Sequence, residues 1–182
     1  IDGVAYTVNH NNAEYGYAGS SIPDLYGSFS NNFSYKGFFL NTLFTYQIGG
    51  QTYDGNYATL IDTAPDGAAI HTDMLNAWTT PGQVTNVPKL STNNVTQNLA
   101  ASSRWLVDSD YLAFRSATFG YTFKKEQLES LGFSSLKVFV SGENLLSWTA
   151  RKGLEPVQSF NGTTSYRYTP SRIVSVGLNV QF

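Results

Sequence analysis

The stretch that decides the fold reads Asp24-Leu25-Tyr26-Gly27-Ser28-Phe29-Ser30-Asn31-Asn32-Phe33-Ser34-Tyr35-Lys36-Gly37-Phe38-Phe39-Leu40-Asn41-Thr42-Leu43-Phe44-Thr45-Tyr46-Gln47-Ile48-Gly49-Gly50. Side chains on a strand point alternately to opposite faces, so parity along this run sorts them into two rows. Leu25, Phe29, Phe33 and Tyr35 fill the odd row, and Tyr26, Ser28, Ser30, Asn32 and Ser34 carry polar groups on the even one. After the tight turn Lys36-Gly37 the apolar row passes to Phe38, Leu40, Phe44, Tyr46 and Ile48, opposed by Asn41, Thr45 and Gln47. Two amphipathic strands joined by two residues make a hairpin, spanning 24–50.

Downstream, the connection 51–110 is about sixty residues long, too long for a compact hairpin loop, and is expected to carry structure of its own. Asp66 is placed to cap a short helix near 66–78, on which Ile70, Met74 and Trp78 recur at helical spacing before Thr79-Thr80-Pro81-Gly82 ends it. Two more strands are expected in 111–146. From Tyr111 to Phe123 the apolar parity switches between Phe114 and Ala117, and one extra residue near Arg115-Ser116, a β-bulge, returns both halves to one face. Lys124 to Gly132 reads as a helical turn closed by Gly132. In the strand from Ser135 to Leu146, Leu136, Val138 and Val140 oppose Lys137, Ser141 and Glu143, and Phe139 breaks the pattern. A loop at 147–171 leads to the cleanest alternation, 172–182, where Val174, Val176, Leu178, Val180 and Phe182 oppose Ser175, Gly177, Asn179 and Gln181. Residues 1–23 are read as a further loop.

Composition narrows the function. The 182 residues include 12 Phe and 12 Tyr but only 13% charged residues, with a net charge of −2. With no basic run there is no electrostatic footprint for nucleic acid. The absence of cysteine removes disulfides, thiolate catalysis and thiolate-held metals together. His10 and His71 stand without partner spacing for acid–base work, and Asp62, Asp66 and Asp73 do not match a calcium hand, so no enzyme, metal or cofactor is expected. Apolar runs such as Phe38-Phe39-Leu40 fall far below the roughly 18 residues of a membrane-spanning helix. Spanning strands stay open, because their lumen-facing residues keep mean hydropathy unremarkable.

Alternation serves a soluble sandwich equally well. Strands of about 11 residues, however, suit a tilted membrane span better than a soluble sheet. Connections alternate between long and short, the pattern of extracellular loops (1–23, 51–110, 147–171) and periplasmic turns, which leaves the C-terminus periplasmic. Aromatic residues gather at strand ends, with Phe33, Tyr35, Tyr121, Phe123 and Phe182 on the short-turn side and Tyr46 and Trp148 on the other. The expected fold is all-β: an antiparallel transmembrane β-barrel segment of about five C-terminal strands, too few to close a ring. Further strands in the same polypeptide or a companion chain, and a lipid bilayer, are implied partners.

The run Ser21 to Phe29, with Phe33-Ser34-Tyr35-Lys36-Gly37-Phe38 and Tyr46-Gln47-Ile48-Gly49-Gly50, resembles the C-terminal barrel of SusC/RagA-type TonB-linked outer-membrane transporters of Bacteroidota. Tyr111-Leu112, Phe119-Gly120-Tyr121-Thr122-Phe123, Val140 to Leu146 and Val176 to Phe182 extend the resemblance. It implies a plugged barrel of about 22 strands in the outer membrane of a Gram-negative bacterium. Such a barrel imports large nutrients, oligosaccharides or peptides, energised by TonB through an N-terminal region not in this chain, under a SusD-like surface lipoprotein. Phe182 would then be the C-terminal signal read by the barrel-assembly machinery.

The loop aromatics Tyr57, Trp78, Trp105, Tyr166 and Tyr168 either face substrate or the lid protein, or pack the long loops against each other. Arg115, Lys137 and Glu143 are expected to face the lumen. Two other readings stay open: a structural or accessory subunit of a larger outer-membrane assembly, and a secreted carbohydrate-binding β-sandwich.

Overall fold

Strand parity assembles one antiparallel sheet. The computed structural model describes residues 10–61, 69–90, 100–128, 132–155, 157, 161–164, 166 and 168–182. In chain order they form β1 (Leu25–Tyr35), β2 (Phe38–Ile48), β3 (Gln51–Tyr53), α1 (Gly55–Ile61), β4 (Leu106–Asp108), β5 (Tyr111–Thr122), β6 (Ser135–Thr149) and β7 (Ile173–Gln181). The main sheet has the order β1-β2-β5-β6-β7, and β3 pairs with β4 in a small separate ladder. Lys36 and Gly37 both hold positive φ, 47° and 91°, so the turn between β1 and β2 carries the twist that an antiparallel hairpin needs.

The register explains the parity switch. Pairing of β2 with β5 steps from Leu43↔Ser116 to Phe44↔Phe114, leaving Arg115 without a partner across the ladder. β6 answers at the same level, where Asn144 takes φ 51° and pairing jumps from Ser116↔Glu143 to Phe114↔Leu146. The bulge returns the apolar residues of β5 to one face. Three rows then cross the sheet there: Tyr35-Phe38-Tyr121-Val138-Leu178, Phe33-Leu40-Phe119-Val140-Val176 and Phe29-Phe44-Phe114-Leu146. The rings of Phe29 and Phe44 stack at 4.8 Å, and those of Phe44 and Phe114 at 4.4 Å. Each such cross-strand pair contributes about 0.5–1 kcal/mol. The opposite face carries Asn32-Asn41-Thr118-Ser141-Ser175.

Among the described residues nothing packs across the apolar face. Phe33 is 61% and Val176 78% exposed. Phe29, Leu40, Val138 and Leu178 share this open face and are not enclosed between stacked layers. A sandwich would bury them, so the two-layer reading is set aside.

Phe139 finds its reason in the polar face. The row Phe39-Gly120-Phe139-Gly177 alternates ring with glycine. A Cβ on Gly177 would strike the Phe139 ring, and one on Gly120 would meet the Val138 carbonyl, the Phe39 ring and the Phe139 Cβ. The rings therefore lie where the glycines have no side chains, and Lys137 Nζ sits 4.0 Å over the Phe39 ring. Gly177→Val should overpack this row by about 1–3 kcal/mol, lowering the temperature at which the assembled barrel loses its compact gel mobility. Adding Phe139→Ala should recover part of that loss, since the colliding ring is gone.

Two sequence expectations need correction. The loop expected to begin at 147 starts later, because β6 continues through Thr149 and pairs Trp148 with Leu112. Of the helix expected near 66–78, Asp66 and the rest of 62–68 lie outside the described residues. The described part holds only a 3-10 turn, Thr72–Asn76, while the α-helix is α1, earlier in the chain. His71 Nδ1 accepts the Asp73 N–H at 3.1 Å and Trp78 donates its N–H to the Val87 carbonyl at 3.1 Å, so local bonds take the groups a longer helix would use. Ile70 is exposed while Met74 is buried, so their spacing does not mark a shared buried face.

Candidate functional site

At the end of the sheet opposite the Lys36-Gly37 turn, Gly49 and Gly50 take φ of 80° and 81° and interrupt the β2–β5 ladder. It resumes as β3–β4, held by the Ser109 N–H on the Gly50 carbonyl at 3.1 Å and by the buried Thr52 and Ser109 hydroxyls at 2.5 Å. This stalk delivers Asp54, whose exposure is 0%.

Asp54 holds three segments together. Its Oδ1 accepts the Tyr57 N–H at 3.1 Å, capping α1. The same oxygen accepts the Thr164 hydroxyl at 3.1 Å, and Oδ2 pairs with Arg151 Nη2. The Arg151 guanidinium lies 4.5 Å over the Tyr57 ring. Long connections 51–110 and 150–172 are thereby locked to each other. Behind α1, Ala58, Ile61, Met74, Ala77, Val87 and Trp105 form a small core.

Tyr57 donates its hydroxyl to Asp73 Oδ2 at 2.6 Å and meets the His71 ring edge-on at 4.9 Å. Burial first, then the hydrogen bond and the charge of Asp73, push its pKa up to about 12 against the opposing pull of Arg151. An unfolded tyrosine ionises near pH 10. The folded state therefore keeps a proton that the unfolded state loses: the stabilisation is complete below about pH 10 and disappears as pH climbs towards 12. In Tyr57→Phe this alkaline slope in the stability of the connections should flatten, read as amide protection of 55–61 over about pH 9–12.

The sequence-derived candidates scatter. Of the two roles left open for the loop rings, Trp105 takes packing: at 2% exposure it belongs to the small core. Trp78 is half-buried. Tyr166 and Tyr168 stand 73% and 99% exposed on the connection after β6. Tyr57, His71, Arg151 and Tyr166 line a recess of about 310 Å³ between the two connections. Arg115 points to the polar face, its Nε donating to Thr45 Oγ1 at 3.0 Å. Glu143 pairs with Ser116 at the bulge level, while Lys137 lies near the short turns, so the three polar-face charges do not converge. Phe182 is exposed and sets its ring edge-on against Phe133 at 5.4 Å. Sequence reasoning missed Asp54 and Arg151. The signal for the first was an Asp directly before Gly55-Asn56-Tyr57-Ala58, a helix start.

Glu155 adds a link between the connection and the sheet. Its burial raises its pKa, and the nearby charge of Arg115 works against that rise.

A single-layer sheet with an oily face, a hydrated face and structured loops at one end is a wall segment of a membrane-crossing β-barrel. No protein-family model matches the chain. TonB-dependent receptor P39 of Formosa agariphila is 31% identical over 173 residues, 90% of this chain and 17% of that receptor. TonB-dependent receptor P3 of the same bacterium is 29% identical over 175 residues, with the same shares. Among solved structures, the RagAB peptide importer in the closed-closed state matches with a TM-score of 0.72 at 22% identity, over 89% of this chain and 18% of that one. In its open-open state the TM-score is 0.68, over 89% of this chain and 17% of that one. Both curated relatives are TonB-dependent receptors, and the chain corresponds to a segment of such a receptor. It spans 17% of the length of the curated relatives it matches.

Proposed function

We propose that the receptor to which this segment belongs imports large nutrients, oligosaccharides or peptides, across the outer membrane of a Gram-negative bacterium. The observation that carries the proposal is the sheet itself: one continuous apolar face that none of the described residues covers, backed by a polar face under structured loops. Lipid against the first face and a hydrated lumen against the second account for both. Names borne by its relatives support the same reading: receptors dependent on TonB, and a fold neighbour that is a peptide importer.

In this proposal β1, β2, β5, β6 and β7 cross the bilayer, the connections 1–23, 51–110 and 150–172 are extracellular, and the short turns and the C-terminus are periplasmic. TonB delivers energy through a region outside this chain, and the remaining strands and a plug complete the pore. A SusD-like surface lipoprotein covers the mouth, where the exposed rings of Tyr166 and Tyr168 offer contact to lid or cargo.

The test is uptake of labelled oligosaccharide and oligopeptide mixtures by cells carrying the full-length receptor, with and without their TonB. Accumulation that stops when TonB is deleted supports import. Equal accumulation in both strains overturns it.

A further inference from the structure

The connection after β6 folds back towards the polar face and walls a second recess, of about 510 Å³, against the bulge of β5. Arg115, Lys152 and Arg172 line it, with Glu155 as its single carboxylate and Leu154 and Pro170 among its aliphatic surfaces. In the first recess Asp54 neutralises Arg151. Here no ion pair closes on the cations: those among the described residues join only His71 to Asp73 and Arg151 to Asp54, and Glu155 acts on Arg115 through its nearby charge alone. Arg115 is held by Thr45 through Nε at 3.0 Å and lies 5.9 Å from the Tyr111 ring, which fixes the guanidinium before any ligand arrives.

Positive charge thus exceeds negative in a recess on the polar face beside the structured loops. A fixed guanidinium matches the planar fork of a carboxylate, with a second cation close by. Among the described residues no aromatic side chain lines the recess to stack on a sugar face. We infer that this recess binds carboxylate groups of acidic cargo as they enter the lumen. The inference rests on the importer reading and adds to it the chemistry of what the mouth selects.

The test uses the full-length receptor in detergent and calorimetric titration with four probes: oligoglutamate, oligogalacturonate, oligoglycine and a neutral malto-oligosaccharide. Acidic probes should bind more tightly than their neutral counterparts, and the preference should shrink as salt rises. Binding of oligoglutamate alone or of oligogalacturonate alone supports the site equally and names the source of the carboxylate. Lys152→Gln and Arg172→Gln, both at exposed positions where folding is not at stake, should each weaken acidic-probe binding about 5- to 10-fold. Lys152→Arg and Arg172→Lys should retain most of it, and Lys36→Gln at the far turn should change nothing. Equal affinity for acidic and neutral probes, or no response to either glutamine variant, overturns the inference. TonB-dependent uptake of neutral cargo alongside such a result would leave the importer reading intact, whereas TonB-independent accumulation would remove that reading by itself.

Discussion

Phe119→Arg in the full-length receptor is expected to abolish the compact, heat-modifiable barrel, while Ser141→Arg on the neighbouring strand leaves it assembled. Phe119 sits in the row Phe33-Leu40-Phe119-Val140-Val176, 54% exposed on the apolar face. Acyl chains meet that row once the barrel is inserted. An arginine facing lipid near the bilayer midplane costs about 2–4 kcal/mol, and the lost ring contact with Phe38, now 6.0 Å between centroids, adds to it. Against a typical total of roughly 5–15 kcal/mol, that is a large fraction. Ser141 belongs to the row Asn32-Asn41-Thr118-Ser141-Ser175, where a charge meets water. The comparison is read on a gel as the fraction whose mobility shifts on boiling. Equal tolerance at the two sites, or a greater loss at Ser141, would sink the assignment of lipid and lumen faces.

Asp54→Ala is expected to release the two structured connections from each other without dismantling the sheet. The substitution leaves Arg151 without its counter-charge and strips the Tyr57 N–H and the Thr164 hydroxyl of their acceptor. Removing one partner of a buried pair costs about 3–5 kcal/mol. Arg151 is a quarter exposed, at 25%, and regains water when released, so about 2–3 kcal/mol is the better expectation. Hydrogen exchange should rise sharply in 55–61 and around 151–155, and protease should begin to cut within the connections. Strand amides and the boiling-dependent gel shift should stay as they are. Asp54→Asn keeps an acceptor for the cap but not the charge, and should fall between the two. If exchange rose across the strands as well, Asp54 would be part of the barrel's own stability and not a tie between loops.

Local pattern carried the sheet. Alternation has a period of two residues, so a run such as Leu25 to Tyr35 announces both its conformation and its buried or lipid-facing side without reference to anything distant. The bulge was legible for the same reason: only an inserted residue reconciles Phe114 with Phe119, and the ladder skips Arg115. Phe139 looked like an error because its explanation lies on neighbouring strands, in Gly120 and Gly177. The connections were harder. Ile70, Met74 and Trp78 mimic a helical stripe, yet His71 and Val87 capture the backbone groups that a helix would need. For Trp105 the sequence left an outward face and loop packing both open, and the fold decides for packing because Ala58, Ile61 and Met74 gather around it.

Taken alone, the chain's residues determined that it is made of long amphipathic strands with one oily and one hydrated face, and that such strands need partners beyond their own edges. Those properties are set by neighbours along the chain, through steric alternation and the cost of unpaired backbone groups in lipid. Tertiary structure alone decided that Asp54 meets Arg151, 97 residues away, and that Arg115, Lys152 and Arg172 share one recess. Contacts at that separation depend on how the loops close, and many loop paths are compatible with one composition. Only the folded path, fixed by the buried carboxylate and the small core around Trp105, selects which charges end up facing each other and which are left for a ligand.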